Sequence, residues 1–312
     1  MKLTFNDIQE ITVGAVEIFN ESDGVHFGKC TKEQINVWKK HAEFLYNTAK
    51  ATTGVRFDFH SDTDFIKLTL SKGNYELKVD GLLVKRYKAL DNEEICYDLG
   101  EKGKEKHIVF SLPSHDADGI IKSFEIADGS YIKRHTFDRK ILFLGDSITQ
   151  GWNSDYDQNS YAYQVSDFLN AESVIQGVGG SFFEPLTVVP IGFNPEIIFI
   201  AYGTNDFMRL SDINELEKNA TQYIQKVKEL YKSAKIFVIS PIWRQNQVSN
   251  MGTFSDCTSK IKSVAKKLNV NVIDGDKIIP PLPEIMSDEV HPNGLGFSLY
   301  TLNLLKQLKN KI

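Results

Sequence analysis

The second half of the chain alternates short apolar runs with longer segments of helical periodicity. Apolar runs bounded by polar sequence are typical of strands buried in a parallel sheet. The runs fall near residues 141–144, 173–176, 197–202, 235–240 and 271–273. The helical segments fall near residues 160–170, 212–233, 253–268 and 294–309. This order predicts an α/β fold in which helices cover both faces of a parallel sheet.

The first half shows short alternating or β-branched runs separated by turn residues. These runs fall at residues 55–60, 65–70, 75–79, 107–112 and 121–126. Many short strands at this spacing predict a β-sandwich. We expect residues 71–74 to be a hairpin loop between the second and third runs. Thr31 and Gln34 predict a capping box that opens a helix over residues 31–50.

The change of pattern predicts two domains. We expect a β-sandwich, jelly-roll-like accessory domain over residues 1–135 and a catalytic domain over residues 136–312. The boundary falls in the polar connection at residues 131–139. A chain of 312 residues is long enough for each part to bury its own core.

Charge and cysteine content exclude several classes of protein. The net charge is −5 without a long basic block, which does not favour nucleic acid or an anionic membrane as a partner. No apolar run approaches the roughly 18 residues that span a bilayer. Acidic residues near the start replace the apolar stretch of a secretory peptide, so we expect a cytoplasmic protein. Three widely spaced cysteines suit a reducing compartment and suggest neither disulfides nor a metal site. A homo-oligomer stays open.

The run at 141–144 ends in Gly145-Asp146-Ser147. Parallel strands deliver such a turn to the carboxyl edge of the sheet, where open α/β folds place their chemistry. Ser147 is therefore a candidate nucleophile. On this segment alone, an ordinary polar loop is an equally open interpretation.

His291 is the one histidine that follows residue 135, and Asp288 lies three residues before it. A serine hydroxyl needs a base to take its proton, and the base needs a third group to fix its tautomer. Asp288 and His291 can supply both functions. The alternative is a helix start at the surface, in which Asp288 is the cap and His291 is solvated.

Two more strand ends carry candidate groups. The run at 197–202 leads to Asn205, whose amide can stabilise an oxyanion. The run at 173–176 leads to Gly177-Val-Gly179-Gly180, where the backbone can approach a substrate closely. The glycine spacing is not that of a dinucleotide loop, and no Gly-Lys-Ser/Thr element is present.

Four blocks in this order resemble the SGNH, or GDSL-like, serine hydrolases over roughly residues 138–312. They are Gly145-Asp146-Ser147, Gly180, Gly203-x-Asn205 and Asp288-x-x-His291. The resemblance implies a flavodoxin-like three-layer fold and a catalytic triad of Ser147, His291 and Asp288. It implies three oxyanion donors: the Ser147 N–H, the Gly180 N–H and the Asn205 side chain. Gly179 is a rival for the second donor.

A β-sandwich ahead of such a domain is similar to two-domain bacterial carbohydrate esterases that remove acetyl groups from sugars. We therefore expect a deacetylase, a serine esterase for short acyl esters of a small molecule or oligosaccharide, without metal or cofactor. An acyltransferase, a lipase and a thioesterase of the same family are the alternatives. The candidate substrate contacts are Asp146, Trp152, Trp243 and Arg244. For each tryptophan, packing at the sheet edge is an equally open interpretation.

Overall fold

The computed structural model describes residues 1–115 and 118–312. Its strands in chain order are β1 Thr12–Val13, β2 Glu17–Glu21, β3 Gly24–Gly28, β4 Arg56–Ser61, β5 Phe65–Leu70, β6 Gly73–Val79, β7 Leu82–Ala89, β8 Glu93–Asp98, β9 Lys106–Ser111, β10 Ile121–Ile126, β11 Lys133–Arg134, β12 Arg139–Gly145, β13 Ala171–Gly177, β14 Ile197–Ala201, β15 Lys235–Ile239, β16 Val248–Ser249, β17 Gly252–Thr253 and β18 Asn271–Ile273. Its α-helices are α1 Phe5–Ile11, α2 Lys32–His41, α3 Glu43–Lys50, α4 Ser147–Gln150, α5 Tyr161–Phe168, α6 Thr204–Arg209, α7 Ile213–Leu230, α8 Phe254–Lys267 and α9 Gly294–Leu308. Single 3-10 turns cover Asp157–Asn159, Pro185–Thr187, Gly275–Lys277 and Pro283–Ile285.

The second half is built on a parallel sheet with the strand order β13-β12-β14-β15-β18. Side chains alternate between its two faces because the side-chain period of a strand is two. Phe143 and Phe199 enter a core shared with α5 and α9, whereas Leu142 and Ile198 enter a core shared with α7 and α8. The predicted α/β arrangement, with helices on both faces of a parallel sheet, is confirmed.

The register of this sheet decides which strand ends meet. Gly145 at the end of β12 pairs with Gly177 on β13 and with Ala201 on β14. The segments that follow these three residues therefore leave the same edge of the sheet side by side. They carry Ser147, the glycine turn and Asn205.

The first half contains two antiparallel sheets. One has the order β1-β4-β9-β6-β7, with β11 also paired to β4, and the other has the order β2-β3-β10-β5-β8. Phe57 and Phe110 of the first sheet share one buried core with Leu68 and Phe124 of the second. The short strands expected here from alternation are all present.

The hairpin expected at residues 71–74 is wrong, because β5 and β6 belong to different sheets. The chain crosses there from one sheet to the other. The hairpin is formed by β6 and β7, whose two-residue turn places Asp80 at φ +50° and Gly81 at φ +79°. An Asp-Gly pair is a strong signal for such a turn, since both residues tolerate positive φ.

The helix expected over residues 31–50 is two helices. Its capping box is confirmed, with Thr31 and Gln34 each accepting a hydrogen bond from the backbone N–H of the other. The break falls at Ala42, whose backbone is extended at φ −167° and ψ 150°. After this break, Leu45 and Ala49 of α3 pack with Val178 and Phe182 of the second half.

The connection at residues 131–139 contains β11, which pairs with β4. The proposed domain boundary thus follows a strand that is attached to the first half. Within the described residues, none of the helices combines the length and the apolar character that crossing a membrane would need.

Candidate active site

Ser147 is the first residue of α4, directly beyond the end of β12. The turn between them is tight because α4 folds back over the strand. A Cβ at Gly145 would lie 2.1 Å from the Thr149 Oγ1 and 2.9 Å from the Ala201 carbonyl oxygen. Glycine is required here by close packing, and this packing places the Ser147 hydroxyl at the sheet edge.

An unbroken chain of hydrogen bonds links Ser147, His291 and Asp288. The Ser147 Oγ lies 2.8 Å from the His291 Nε2, and the His291 Nδ1 lies 2.8 Å from the Asp288 Oδ2. Asp288 Oδ1 accepts the backbone N–H groups of Val290 and His291 at 2.8 and 2.7 Å. The Asn153 amide donates to Asp288 Oδ2 at 2.9 Å. These bonds fix the carboxylate, so that a protonated His291 Nδ1 leaves the Nε2 lone pair facing the serine.

The charge of Asp288 follows from the same contacts. Partial burial acts to raise its pKa, but the hydrogen bonds from the His291 backbone, the His291 ring and the Val290 backbone lower the pKa by more. The net pKa lies below the usual aspartate range. Asp288 is therefore a carboxylate at neutral pH and can stabilise a positive charge on the imidazole.

The glycine segment forms a turn that the Ser181 N–H closes by donating to the Val178 carbonyl at 3.0 Å. Gly180 lies at φ +79°, and a Cβ there would lie 3.1 Å from a ring carbon of Phe44. The Gly179 N–H is occupied by the Gln150 Oε1 at 2.6 Å. Among the described residues, none accepts the Gly180 N–H, so of the two glycines only Gly180 can offer its N–H to a ligand.

Asn205 lies in the first turn of α6, after the end of β14. Its Nδ2 donates to the Ser181 carbonyl at 2.8 Å, which fixes the amide plane. An amide nitrogen carries two N–H donors, so the second stays available for a ligand. The Ser147 N–H has no acceptor within its own helix, because the first N–H groups of a helix lack intrahelical partners.

Asp146 and Arg244, two of the expected substrate contacts, are buried, at 3% and 4% exposure, and both form hydrogen bonds within the protein. Asp146 accepts the Ile148 N–H at 2.9 Å and caps α4, and burial raises its pKa to about 7. Arg244 donates to the Thr204 carbonyl at 2.9 Å. These two side chains stabilise the helices that carry Ser147 and Asn205.

The two tryptophans differ in position. Trp152 is half-buried, with its ring centroid 6.4 Å from that of His291 and 5.8 Å from that of Phe44. Trp243 is half-buried and packs against the core between the sheet and α9. The structure thus places Trp152 beside the hydrogen-bonded chain, whereas Trp243 has the packing contacts of the alternative interpretation.

Sequence reasoning missed the residues that the first half contributes. Phe44, on α3, is 52% exposed and covers Gly180. Thr48 Oγ1 lies 3.1 Å from the Gly179 carbonyl, and the Gln150 Nε2 donates to the carbonyls of Thr48 and Ser114 at 3.2 and 3.1 Å. These contacts join positions far apart in the chain, so no local motif could have indicated them.

Three histidines of the described residues lie close enough to be considered as metal ligands: His60, His107 and His135. His60 Nε2 faces His135 Nδ1 at 3.0 Å, and His107 Nε2 faces Asp58 Oδ1 at 2.7 Å. The three ring planes lie within 21° of parallel. Because an imidazole binds a metal in its own ring plane, rings in this arrangement do not point three nitrogens at one ion. A second group, Glu21, Asp23 and His26, lies at the surface.

A serine hydrogen-bonded to a histidine at the carboxyl edge of a parallel sheet defines the class as an α/β protein with a serine-hydrolase-like site. Residues 143–299 match the GDSL-like lipase/acylhydrolase family, and the chain belongs to this family. Membership supports an enzyme that hydrolyses ester bonds. No curated protein is significantly similar in sequence.

Solved structures with the same fold cover almost the whole chain. The salicylyl-acyltransferase SsfX3 from a tetracycline biosynthetic pathway superposes with a TM-score of 0.86 at 16% identity, covering 99% of this chain and 97% of its own. A family two carbohydrate esterase from Cellvibrio japonicus superposes with a TM-score of 0.72 at 16% identity, covering 99% of this chain and 97% of its own. The acetyl xylan esterase Est2A from Butyrivibrio proteoclasticus superposes with a TM-score of 0.69 at 15% identity, covering 100% of this chain and 99% of its own. At these identities the likeness shows the fold alone.

Proposed function

We propose that this protein is a serine esterase that removes short acyl groups, above all acetyl, from a carbohydrate. The observation that carries the proposal is the hydrogen-bonded chain from Ser147 through His291 to Asp288, with 2.8 Å at both links. In this proposal Ser147 is the nucleophile, His291 is the general base and acid, and Asp288 orients the imidazole. No cofactor is needed for this chemistry.

Acylation begins when the Ser147 Oγ bonds to the ester carbonyl carbon and its proton moves to His291 Nε2. The carbonyl π electrons move onto oxygen, which becomes the oxyanion. When the carbonyl re-forms, the bond to the alcohol oxygen breaks and His291 returns the proton to that oxygen. Water then repeats the sequence on the acyl-serine, so that the acid leaves and Ser147 regains its proton.

The oxyanion is stabilised by the N–H of Ser147, the N–H of Gly180 and the side-chain amide of Asn205. Gly180 rather than Gly179 is the second donor, because Gln150 already occupies the Gly179 N–H at 2.6 Å. Donors fixed before the reaction stabilise the developing charge without reorganisation during the reaction. The turn closure and the bond from Asn205 to the Ser181 carbonyl supply this fixation.

The substrate class rests on the aromatic side chains beside His291. The leaving alcohol must lie next to His291 Nε2 to receive its proton, and Trp152 flanks this position. An aromatic face suits the C–H face of a sugar ring. Phe44 closes the space over Gly180, which favours a short acyl group. The carbohydrate esterases among the structural neighbours support the same class.

We also propose two domains, with residues 1–135 as a β-sandwich accessory domain and residues 136–312 as the catalytic domain. The single core that the two antiparallel sheets share supports the sandwich. The contacts of Phe44 and Thr48 with the glycine turn support a role of the first domain as one wall of the cleft.

Ser147→Ala tests the nucleophile. The variant is expected to lose at least about 10³-fold in kcat for p-nitrophenyl acetate, because no other group can carry the acyl chain. Ser166→Ala is the matched control, since its buried hydroxyl donates to the Ala162 carbonyl within α5, away from the proposed site. A Ser147→Ala enzyme that keeps a tenth of the rate, or fluorophosphonate labelling at another residue, would contradict the assignment.

Acyl transfer is the second candidate, because an acyltransferase superposes over 99% of this chain. Both reactions share the acyl-serine and differ in what attacks it. Product analysis with an acetylated xylo-oligosaccharide and excess unacetylated acceptor separates them. Release of acetate as the main product supports the esterase, whereas acetyl groups recovered on the acceptor support the transferase. A rate that rises steadily with acyl length to eight carbons would favour a lipase or thioesterase.

A further inference from the structure

Gln150, at the end of α4, is fully buried between the two halves of the protein. Its Oε1 accepts the Gly179 N–H at 2.6 Å. Its Nε2 donates to the carbonyls of Thr48 and Ser114, which belong to the first half. One neutral amide thus satisfies one donor and two acceptors, and neither a hydrocarbon nor a charged side chain of this size can do the same.

The contacts of Gln150 fix the backbone that carries the proposed oxyanion donor. Gly179 is held through its N–H by Gln150, and the Thr48 Oγ1 lies 3.1 Å from its carbonyl oxygen. That carbonyl belongs to the same peptide group as the Gly180 N–H. Because a trans peptide is planar, fixing the carbonyl on one side fixes the direction of the N–H on the other.

The turn would otherwise be adaptable. Two consecutive glycines have wide conformational freedom, and rotation of the peptide between them would turn the Gly180 N–H away from the substrate. The Thr48 hydroxyl is shared, since the carbonyls of Phe44 and Leu45 also lie at 3.1 and 3.2 Å from it. Gln150 acts on both sides of this peptide. It fixes the preceding peptide through the Gly179 N–H, and its Nε2 holds the backbone carbonyl of Thr48, whose hydroxyl in turn holds the Gly179 carbonyl.

We propose that Gln150 is a positioning residue which, braced by the Thr48 and Ser114 carbonyls of the first half, aims the Gly180 N–H at the reacting ester oxygen. The inference rests on the proposed esterase function. It makes the first half a required part of the oxyanion hole, because two of the groups that brace Gln150 come from it. Gln150 itself does not touch the substrate.

Gln150→Met is the test, because it keeps the side-chain length and removes all three hydrogen bonds. Removal of one oxyanion donor lowers kcat by roughly 10²–10³. A donor that is present but misaligned should lose part of that stabilisation, so we expect kcat of Gln150→Met to fall by about 10- to 100-fold. KM for p-nitrophenyl acetate should stay within about threefold, since the interaction strengthens only as charge develops. Gln150→Glu should keep more activity, because burial favours its neutral acid, which retains the acceptor for Gly179.

Trifluoroacetone provides a readout that general loosening of the structure would not mimic. The ketone adds to Ser147 and places a hemiketal oxyanion where the three donors converge. Its inhibition constant should rise in Gln150→Met by about the same factor by which kcat/KM falls. Gln158→Met is the matched control, since Gln158 also bridges the two halves, through a 3.0 Å bond from its amide to the Ser111 hydroxyl, away from the glycine turn.

If Gln150→Met does not fold, Thr48→Val carries the test. It should lower kcat two- to tenfold, and Thr48→Ser should restore it. Three results would overturn the inference while leaving the proposed function intact. They are a folded Gln150→Met enzyme with wild-type kcat, an unchanged inhibition constant of trifluoroacetone in that variant, and an equal loss of kcat in Gln158→Met. Wild-type protein that neither hydrolyses esters nor is labelled at Ser147 would overturn the proposed function and the inference with it.

Discussion

Replacing Asp288 by asparagine exchanges one carboxylate oxygen for an NH₂ group. The substitution tests whether Asp288 fixes the tautomer of His291. Asp288 Oδ1 accepts two backbone N–H groups, at 2.7 and 2.8 Å, while Oδ2 accepts the His291 Nδ1–H at 2.8 Å. An asparagine has one acceptor oxygen and must place it on one side. Oδ2 also accepts the Asn153 amide at 2.9 Å, so each side has two donors. The two backbone N–H groups can only donate, whereas the imidazole can change tautomer and the Asn153 amide can flip. The asparagine oxygen therefore faces the backbone, and its NH₂ group faces His291 Nδ1.

This orientation forces the wrong tautomer. His291 would carry its proton on Nε2 and could not accept the proton of Ser147. Wrong-tautomer variants of serine hydrolases lose on the order of 10⁴ in kcat, or about 5.5 kcal/mol of transition-state stabilisation. We expect a loss of this order for Asp288→Asn in kcat for p-nitrophenyl acetate, with little change in the melting temperature.

The matched control is Asp276→Asn, an exposed aspartate of the same half that pairs with Lys262 at 3.1 Å. Its rate should be that of the wild type, because exposed ion pairs contribute little and this one is not part of the proposed site. An Asp288→Asn enzyme within tenfold of the wild-type rate would refute the reasoning. It would mean that another group fixes the His291 tautomer.

Three more predictions follow from the same geometry. Asn205→Ala should lower kcat by roughly 10²–10³ with KM nearly unchanged, as loss of one oxyanion donor does; steady-state kinetics check this, and an effect on KM alone would contradict it. Trp152→Ala should raise KM for an acetylated oligosaccharide much more than for p-nitrophenyl acetate, because Trp152 lies beside His291. Trp243→Ala should affect the two substrates alike, because Trp243 packs against the core. Equal effects of Trp152→Ala on both substrates would instead make Trp152 a packing residue. Burial raises the pKa of Asp157 to about 7, above its unfolded value of about 3.9. The folded state therefore binds the Asp157 proton more tightly than the unfolded state does. The contribution of Asp157 to the free energy of unfolding falls as pH rises from about 4 to 7. Asp157→Asn should make the free energy of unfolding, measured in denaturant titrations, less dependent on pH over this range. An unchanged pH profile in the variant would show that other groups cause it.

The α/β half could be predicted closely because its information is local. Each buried strand is a short apolar run, and each candidate group directly follows such a run, as Ser147 follows residues 141–144. Parallel strands end at a common edge, so sequence order alone predicts that Ser147 and Asn205 meet. Asp288 and His291 are three residues apart, and their contact is local as well.

The sequence was less decisive where pairing depends on distant partners. Residues 71–74 have the composition of a hairpin loop, yet they link two different sheets. The partner of a strand depends on how the apolar faces of both sheets are buried in the core. The sequence of the connecting loop carries no information about this. Asp146 and Arg244 show the same limit, because their positions next to strand ends made them candidate substrate contacts while the fold buries both.

What the sequence by itself determined is the α/β architecture of the second half and the set of groups at its strand ends. Only the tertiary structure decided which glycine N–H is available, because Gln150 occupies that of Gly179. It also decided that Phe44, Thr48 and Ser114 of the first half reach the site. The physical reason is range. Periodicity and turn chemistry act over a few residues, whereas these contacts join segments roughly 30 to 135 residues apart, where packing selects the partner.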